Sequence, residues 1–200
     1  MQQALSHLRQ IPHLQPLVEK VQLPEPNSSG DLYYDLLESI VSQQLSVKVA
    51  TVIFNRFLKL FDGEYPHAKQ LLQLDVETMR SVGLSYQKAN YMQNVATFFE
   101  NEQLEDKNWH THLSDDEIVK YLSQIKGVGK WTVEMILMFT LQRPDVFPAD
   151  DLGIQQGMIR LYGLPNDKTL KKQMHEIAEA WRPYRTTACR LLWRWKDSAN

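Results

Sequence analysis

Two short stretches of this 200-residue chain hold the residues best placed to do chemistry: "IKGVGKWTVEMI", from residue 125, and "VFPADDLGI", from residue 146. Gly127 and Gly129 permit backbone angles that other residues resist, so "KGVGK" turns the chain sharply and opens successive amides at the start of the next helix. With Lys126 and Lys130 beside them, such amides grip a phosphate without reading a base. The same spacing also suits an ordinary glycine-capped link between two helices. In the second stretch Asp151 stands where a helix begins, with Asp150 as a second candidate. The residue is either a plain N-cap or a carboxylate whose charge the helix dipole favours, and the two roles are compatible. A fixed carboxylate of this kind stabilises positive charge developing on a reacting group.

The elements that must hold these residues are helices. The Pro/Ser/Asn/Gly segment "LPEPNSSGD" (residues 23–31) separates an N-terminal arm from the remainder of the chain. Asp31 is placed to cap a helix with Leu32, Leu36, Leu37, Ile40 and Val41 on one face. Ser46 is placed to cap a second, carrying Ala50, Ile53, Phe54, Phe57 and Leu60. "SQQLS" then falls at a helix junction. Further helices are predicted over "DVETMRSV", "YQKANYMQNVATFFENE", "SDDEIVKYLSQI" with a Ser114/Glu117 capping box, "WTVEMILMFTLQ", "DLGIQQGMIRLYG", "TLKKQMHEIAEAW" and "YRTTACRLLWRW". Alternating strand patterns are nearly absent, so the fold class is all-α, with roughly ten helices and short loops.

A composition of 43% hydrophobic residues supports a real core, in one domain or two interlocked lobes. The start "MQQALSHLRQ" carries no secretory pattern and the apolar runs are short, so no membrane partner is expected and the location is cytoplasmic, nucleoid-associated in a bacterium, or nuclear. The single cysteine, Cys189, excludes an intrachain disulfide and reads as a small buried thiol. His110 and His112 lie at i, i+2, which does not converge on a metal, so no metal site is assigned. Net charge is −2, yet Arg182, Arg185, Arg190, Arg194 and Lys196 face a single acid, Asp197, after Trp181, which suggests a local anionic partner.

The whole string "LSQIKGVGKWTVEMILMF" resembles the helix-hairpin-helix of the HhH-GPD DNA glycosylase superfamily, and "DVFPADDLGIQQGM" follows at the distance of that family's essential aspartate. The Asp-to-aliphatic spacing matches Asp151 and Ile154. "ESIVSQQLSVKVA", "VGLSYQKANYM" and "WRPYRTTACRLLWRW" extend the likeness over most of the chain from about residue 31. The branch it resembles most is DNA-3-methyladenine glycosylase II, without that branch's extra N-terminal β domain. The resemblance implies a two-lobed helical fold with a central cleft. Lobe A would run over about 31–143, ending in the helix-hairpin-helix at 114–141, and lobe B over about 1–30 plus 144–200.

For the residues, the resemblance implies that Asp151 is catalytic and that Lys126, Gly127, Val128, Gly129, Lys130 and Thr132 meet the DNA backbone. Trp131 and Trp193 match aromatic pocket positions, where each could equally be core. Met135 stands where the branch has a tyrosine, and Tyr184 and Trp181 are further candidates for the pocket or its supporting shell. Gln44, then Leu45, occupies the place of the side chain inserted where a base has left, with Gln43 and Ser42 nearby and a plain polar helix end as the other reading. Position 131 holds tryptophan in place of the Schiff-base lysine of strand-cutting members, with Lys130 one residue early. The activity implied is therefore monofunctional release of alkylated purines (3-methyladenine, 7-methylguanine type) from double-stranded DNA by a monomer. No cofactor is required, and a structural monovalent cation on the hairpin carbonyls is allowed. Two readings stay open beside it: a glycosylase of the same fold for oxidised or deaminated bases, and a non-catalytic DNA-binding module.

Overall fold

The computed structural model describes residues 1–25, 28–104 and 106–198. Among them there is no strand, and the order of helices is α1 (Gln2–Leu8), α2 (Gln15–Lys20), α3 (Leu32–Ser42), α4 (Val47–Leu58), α5 (Ala68–Leu71), α6 (Val76–Ser81), α7 (Tyr86–Asn101), α8 (Asp115–Leu122), α9 (Lys130–Met135), α10 (Leu152–Tyr162), α11 (Leu170–Ala178) and α12 (Arg185–Ser198). The helices exceeding the expectation are α1 and α2, in the N-terminal arm, and the one-turn α5. None of the described helices is long and apolar enough to cross a membrane.

Most helix starts follow from their caps. Asp31 accepts the Tyr34 amide, Asp75 that of Thr78, Ser85 that of Lys88, and Ser114 and Glu117 form the reciprocal capping box. Ser46 occupies the N-cap of α4 in extended geometry, but its hydroxyl makes no capping bond. The helix expected over "WTVEMILMFTLQ" is split: α9 ends at Met135 and the chain continues as a π-turn over Ile136–Thr140.

The chain divides into two compact units, Ser28–Ile136 and Met1–Asn27 with Leu137–Asn200. In the first, α3 packs on α7 and α4, with Leu36, Leu37, Ile40, Met92, Val95 and Ala96 wholly buried. Deleting any of these larger side chains would cost about 2–5 kcal/mol. In the second, α10 packs on α12 through Ile154, Met158, Leu191 and Leu192, and α1 and α2 also rest on α12. Gly157 faces Leu192 across this contact, where a Cβ would sit 3.5 Å from Leu192 Cβ, an ordinary van der Waals distance.

Candidate functional site

The hairpin follows α8, whose last buried residue is Leu122. Gly127 takes φ +106°, a region that side chains disfavour, and a Cβ there would lie 2.2 Å from Cγ of Tyr91. Gly129 is different in kind. It is the N-cap of α9 with an ordinary φ of −89°, and a Cβ would meet nothing within 4 Å. Neither conformation nor packing within the chain therefore requires glycine at 129, and a need for one must come from something approaching from outside. Val128, between them, is buried and anchors the turn.

Side chains of the same unit hold the hairpin's carbonyls. Asn94 Nδ2 donates to Lys126 O at 3.0 Å, and Gln43 Nε2 reaches Gly127 O at 3.5 Å. Around the turn Lys126, Gly129 and Lys130 are exposed, and past it Thr132 is buried and Met135 half-buried. Lys130 Nζ lies 3.5 Å from a carboxylate oxygen of Glu134, one turn on. Trp131 keeps 44% of its surface exposed, so it is not a plain core residue.

The "SQQLS" junction forms a tight turn. Gln43 leaves the helix, Gln44 adopts φ +58°, and the Leu45 amide closes on Ser42 O at 3.1 Å. A left-handed glutamine is strained, and such residues cluster where function demands them. Gln44 and Leu45 are both exposed, with Leu45 at 38%.

The second unit carries the carboxylate. Asp151 is the N-cap of α10, its Oδ1 accepting the Ile154 amide at 2.8 Å, so the capping role expected of it is realised. The same oxygen accepts the indole N–H of Trp193, also at 2.8 Å. Trp193 projects from α12, the helix that packs along α10, and its ring lies near-parallel to Phe139 with centroids 6.0 Å apart. Gly153 makes room for this arrangement: a Cβ there would stand 2.8 Å from Trp193 Cδ1, 2.9 Å from Nε1 and 3.0 Å from Asp151 Oδ1. Asp150, by contrast, pairs with Lys171 at 2.5 Å on the surface.

Trp181 is wholly buried, packed by Phe147 and Tyr162, which suits the supporting-shell reading and not an exposed pocket wall. One expectation changes. The basic C-terminal face is largely spent internally. Arg182 and Arg185 pair with Asp145, and the buried Arg190 donates to the Pro24 carbonyl. Tyr184 meets the ring of His7 edge-on at 5.4 Å.

The family model for HhH-GPD superfamily base excision DNA repair proteins matches residues 37–183. The chain belongs to that superfamily. It is 38% identical over 188 residues to DNA-3-methyladenine glycosylase 1 of Schizosaccharomyces pombe, covering 92% of this chain and 82% of the relative. Among solved structures it is similar to the S. pombe 3-methyladenine DNA glycosylase in complex with abasic DNA, with a TM-score of 0.84, 36% identity and coverage of 98% and 97%. A DNA-3-methyladenine glycosidase from Bacillus halodurans matches with a TM-score of 0.82, 34% identity and coverage of 96% and 88%. The resemblance read from the motifs thus holds at the level of superfamily and all-helical architecture. Gly153, Phe139 and Tyr91 fall within the matching stretches but, like Asn94, are not among the expected site residues. Only Gly153 carries a sequence signal, as a glycine in the first turn of a helix, where propensity disfavours it.

Proposed function

We propose that this superfamily member is a monofunctional DNA glycosylase that hydrolyses the N-glycosidic bond of purines alkylated at N3 or N7 in duplex DNA. The observation that carries the reading is a carboxylate, Asp151, fixed by both the Ile154 amide and the Trp193 indole. Loss of an alkylated purine places positive charge on the sugar while the base leaves neutral. One anion suffices there, whereas O-glycosidases usually add a second carboxyl to protonate the leaving oxygen. The damaged base is drawn from the stack, and the face of an exposed indole such as Trp131 attracts a cationic ring by about 0.5–2 kcal/mol. Catalysis without strand cutting is favoured because position 131 is tryptophan and Lys130 lies beside Glu134. The names of the S. pombe and B. halodurans relatives support the substrate class.

The hairpin contributes backbone contacts to phosphate, which position the duplex without reading sequence. A monovalent cation on its carbonyls fits the donor chemistry. The Lys126 and Gly127 oxygens each accept one side-chain amide and keep a second lone pair. No step runs through such an ion, which would add only positive charge beside a phosphate.

The test is a base-release panel on duplexes bearing 3-methyladenine, 7-methylguanine, ethenoadenine, hypoxanthine or 8-oxoguanine. Free methylated purines should appear, with strands intact until mild alkali is added. Release of hypoxanthine or 8-oxoguanine alone would move the chain to another substrate class, and duplex binding with no release at all would leave a binding module.

A further inference from the structure

One face of α7 contacts both of the turns that the proposed function places against DNA, and this inference rests on that function. The last carbonyls of a helix lack partners within it and need donors from elsewhere. At the end of α3 they find one: Lys88 Nζ donates to Val41 O at 2.7 Å and to Gln43 O at 2.8 Å. These carbonyls lead into the turn in which Gln44 takes its left-handed conformation, the second of them belonging to the residue just before it. A cation at a helix C-terminus is also favoured by the helix dipole. Three residues further along α7, the Tyr91 ring fills the space under Gly127, and three beyond that Asn94 holds Lys126 O. Residues spaced by three share a helix face. Gln43 closes the circuit by reaching Gly127 O.

We propose that Lys88 is a positioning residue for base extrusion: its ammonium clamps the Val41 and Gln43 carbonyls and holds the Gln44–Leu45 turn in register with the glycine hairpin through α7. A lysine beside two such turns would ordinarily be read as a phosphate contact. Its geometry argues otherwise, because two of its three N–H donors are committed to carbonyls. Burial also pulls the ammonium below the usual lysine range, as expected for a charge drawn back from water.

The clamp and the phosphate contact give opposite results in Lys88→Met. With the full chain, three quantities are measured: affinity for undamaged duplex across a salt series, the rise in fluorescence of 2-aminopurine next to a lesion on extrusion, and single-turnover release of 7-methylguanine. The clamp predicts affinity within about twofold of the parent and an unchanged salt slope, with the extrusion signal and release rate each reduced about tenfold. Lys88→Arg, which keeps the donors, should recover most of both. A salt slope smaller by about one, with extrusion intact once the protein is bound, would make Lys88 a phosphate contact and overturn the proposal. Release at the parental rate would overturn it equally. Should Lys88→Met melt below the assay temperature, Lys88→Gln, with one amide for one carbonyl, replaces it and should fall between Met and Arg. Gln44→Ala and Leu45→Ala separate this inference from the reading beneath it. If both leave extrusion unchanged, the turn is no wedge and the clamp falls with it; if they abolish extrusion while Lys88→Met does not, Lys88 alone was misread.

Discussion

Two aspartates in this chain begin helices in the same way and are surrounded in opposite ways. Asp31 caps α3 through the Tyr34 amide, and its carboxylate, buried, also receives the Tyr65 hydroxyl at 2.9 Å and the Lys107 ammonium at 2.7 Å. Asp151 caps α10 through the Ile154 amide, but it accepts in addition from an indole, admitted by a glycine in the helix's own first turn. In one unit a cation and a phenol tie the carboxylate into the fold. In the other, a backbone amide and the in-plane N–H of an indole hold the carboxylate. Capping alone therefore says nothing about function; the donors beyond the cap are what distinguish the two carboxylates.

The sharpest way to break the contrast is to replace each aspartate with asparagine, which caps a helix about as well. Asp151→Asn should lower single-turnover release of methylated purines on the order of 10²–10³-fold. Its melting temperature and duplex affinity should stay near the parent's. A variant that turns over normally would show Asp151 to be a cap like Asp31.

Next in size is Gly153→Ala. A methyl group there falls within 3.0 Å of both the Trp193 ring and the Asp151 carboxylate, so the ring must swing away. Release is expected to fall roughly tenfold or more through lost positioning. Stability should change little, because alanine in a helix gains up to about 1 kcal/mol over glycine against the cost of moving the ring. Trp193→Phe removes the same hydrogen bond while leaving an aromatic ring, so Gly153→Ala added to it should cost much less than in the parent. Full additivity would mean that the glycine serves something other than the Trp193–Asp151 bond.

Smaller again is Gly129→Ala, which compares the two hairpin glycines. With open space and an ordinary φ, the substitution should leave melting unchanged, while duplex affinity falls about tenfold across all sequences and the salt dependence flattens. Gly127→Ala offers no such separation, since a Cβ against Tyr91 damages the fold itself.

The sequence disclosed these sites unevenly, for a physical reason. Caps and turns are local, so Asp31, the Ser114/Glu117 box and Asp151 at a helix start were legible from a few neighbours. The glycine spacing was legible as a turn, but not the difference between a glycine pressed on Tyr91 and one facing open space. What joins distant positions left almost no trace. Asp151 and Trp193 are 42 residues apart, Lys88 and Val41 47 apart, and no periodicity encodes either pair. Charge counting also misled at the C-terminus, because Asp145 lies well before Trp181 in the chain yet takes both Arg182 and Arg185.

Asp31→Asn completes the comparison with the smallest effect and the opposite readout. Burial pushes the Asp31 carboxyl up, but the bonds from Lys107, the Tyr34 amide and Tyr65 outweigh it and hold the group below the usual carboxylate range. A folded-state value below the unfolded one contributes stability that is present above the ordinary aspartate range and is lost as pH falls through the lowered value. The parent should thus lose stability on the acid side of about pH 4, and part of that loss should vanish in Asp31→Asn, which is already uncharged there. Near neutral pH the substitution should cost about 1–3 kcal/mol, read by denaturant unfolding, because it leaves the Lys107 ammonium without its anion. Turnover of the folded variant should match the parent. If Asp31→Asn instead slowed base release at unchanged stability, the division between a structural and a chemical cap would fail from the Asp31 side.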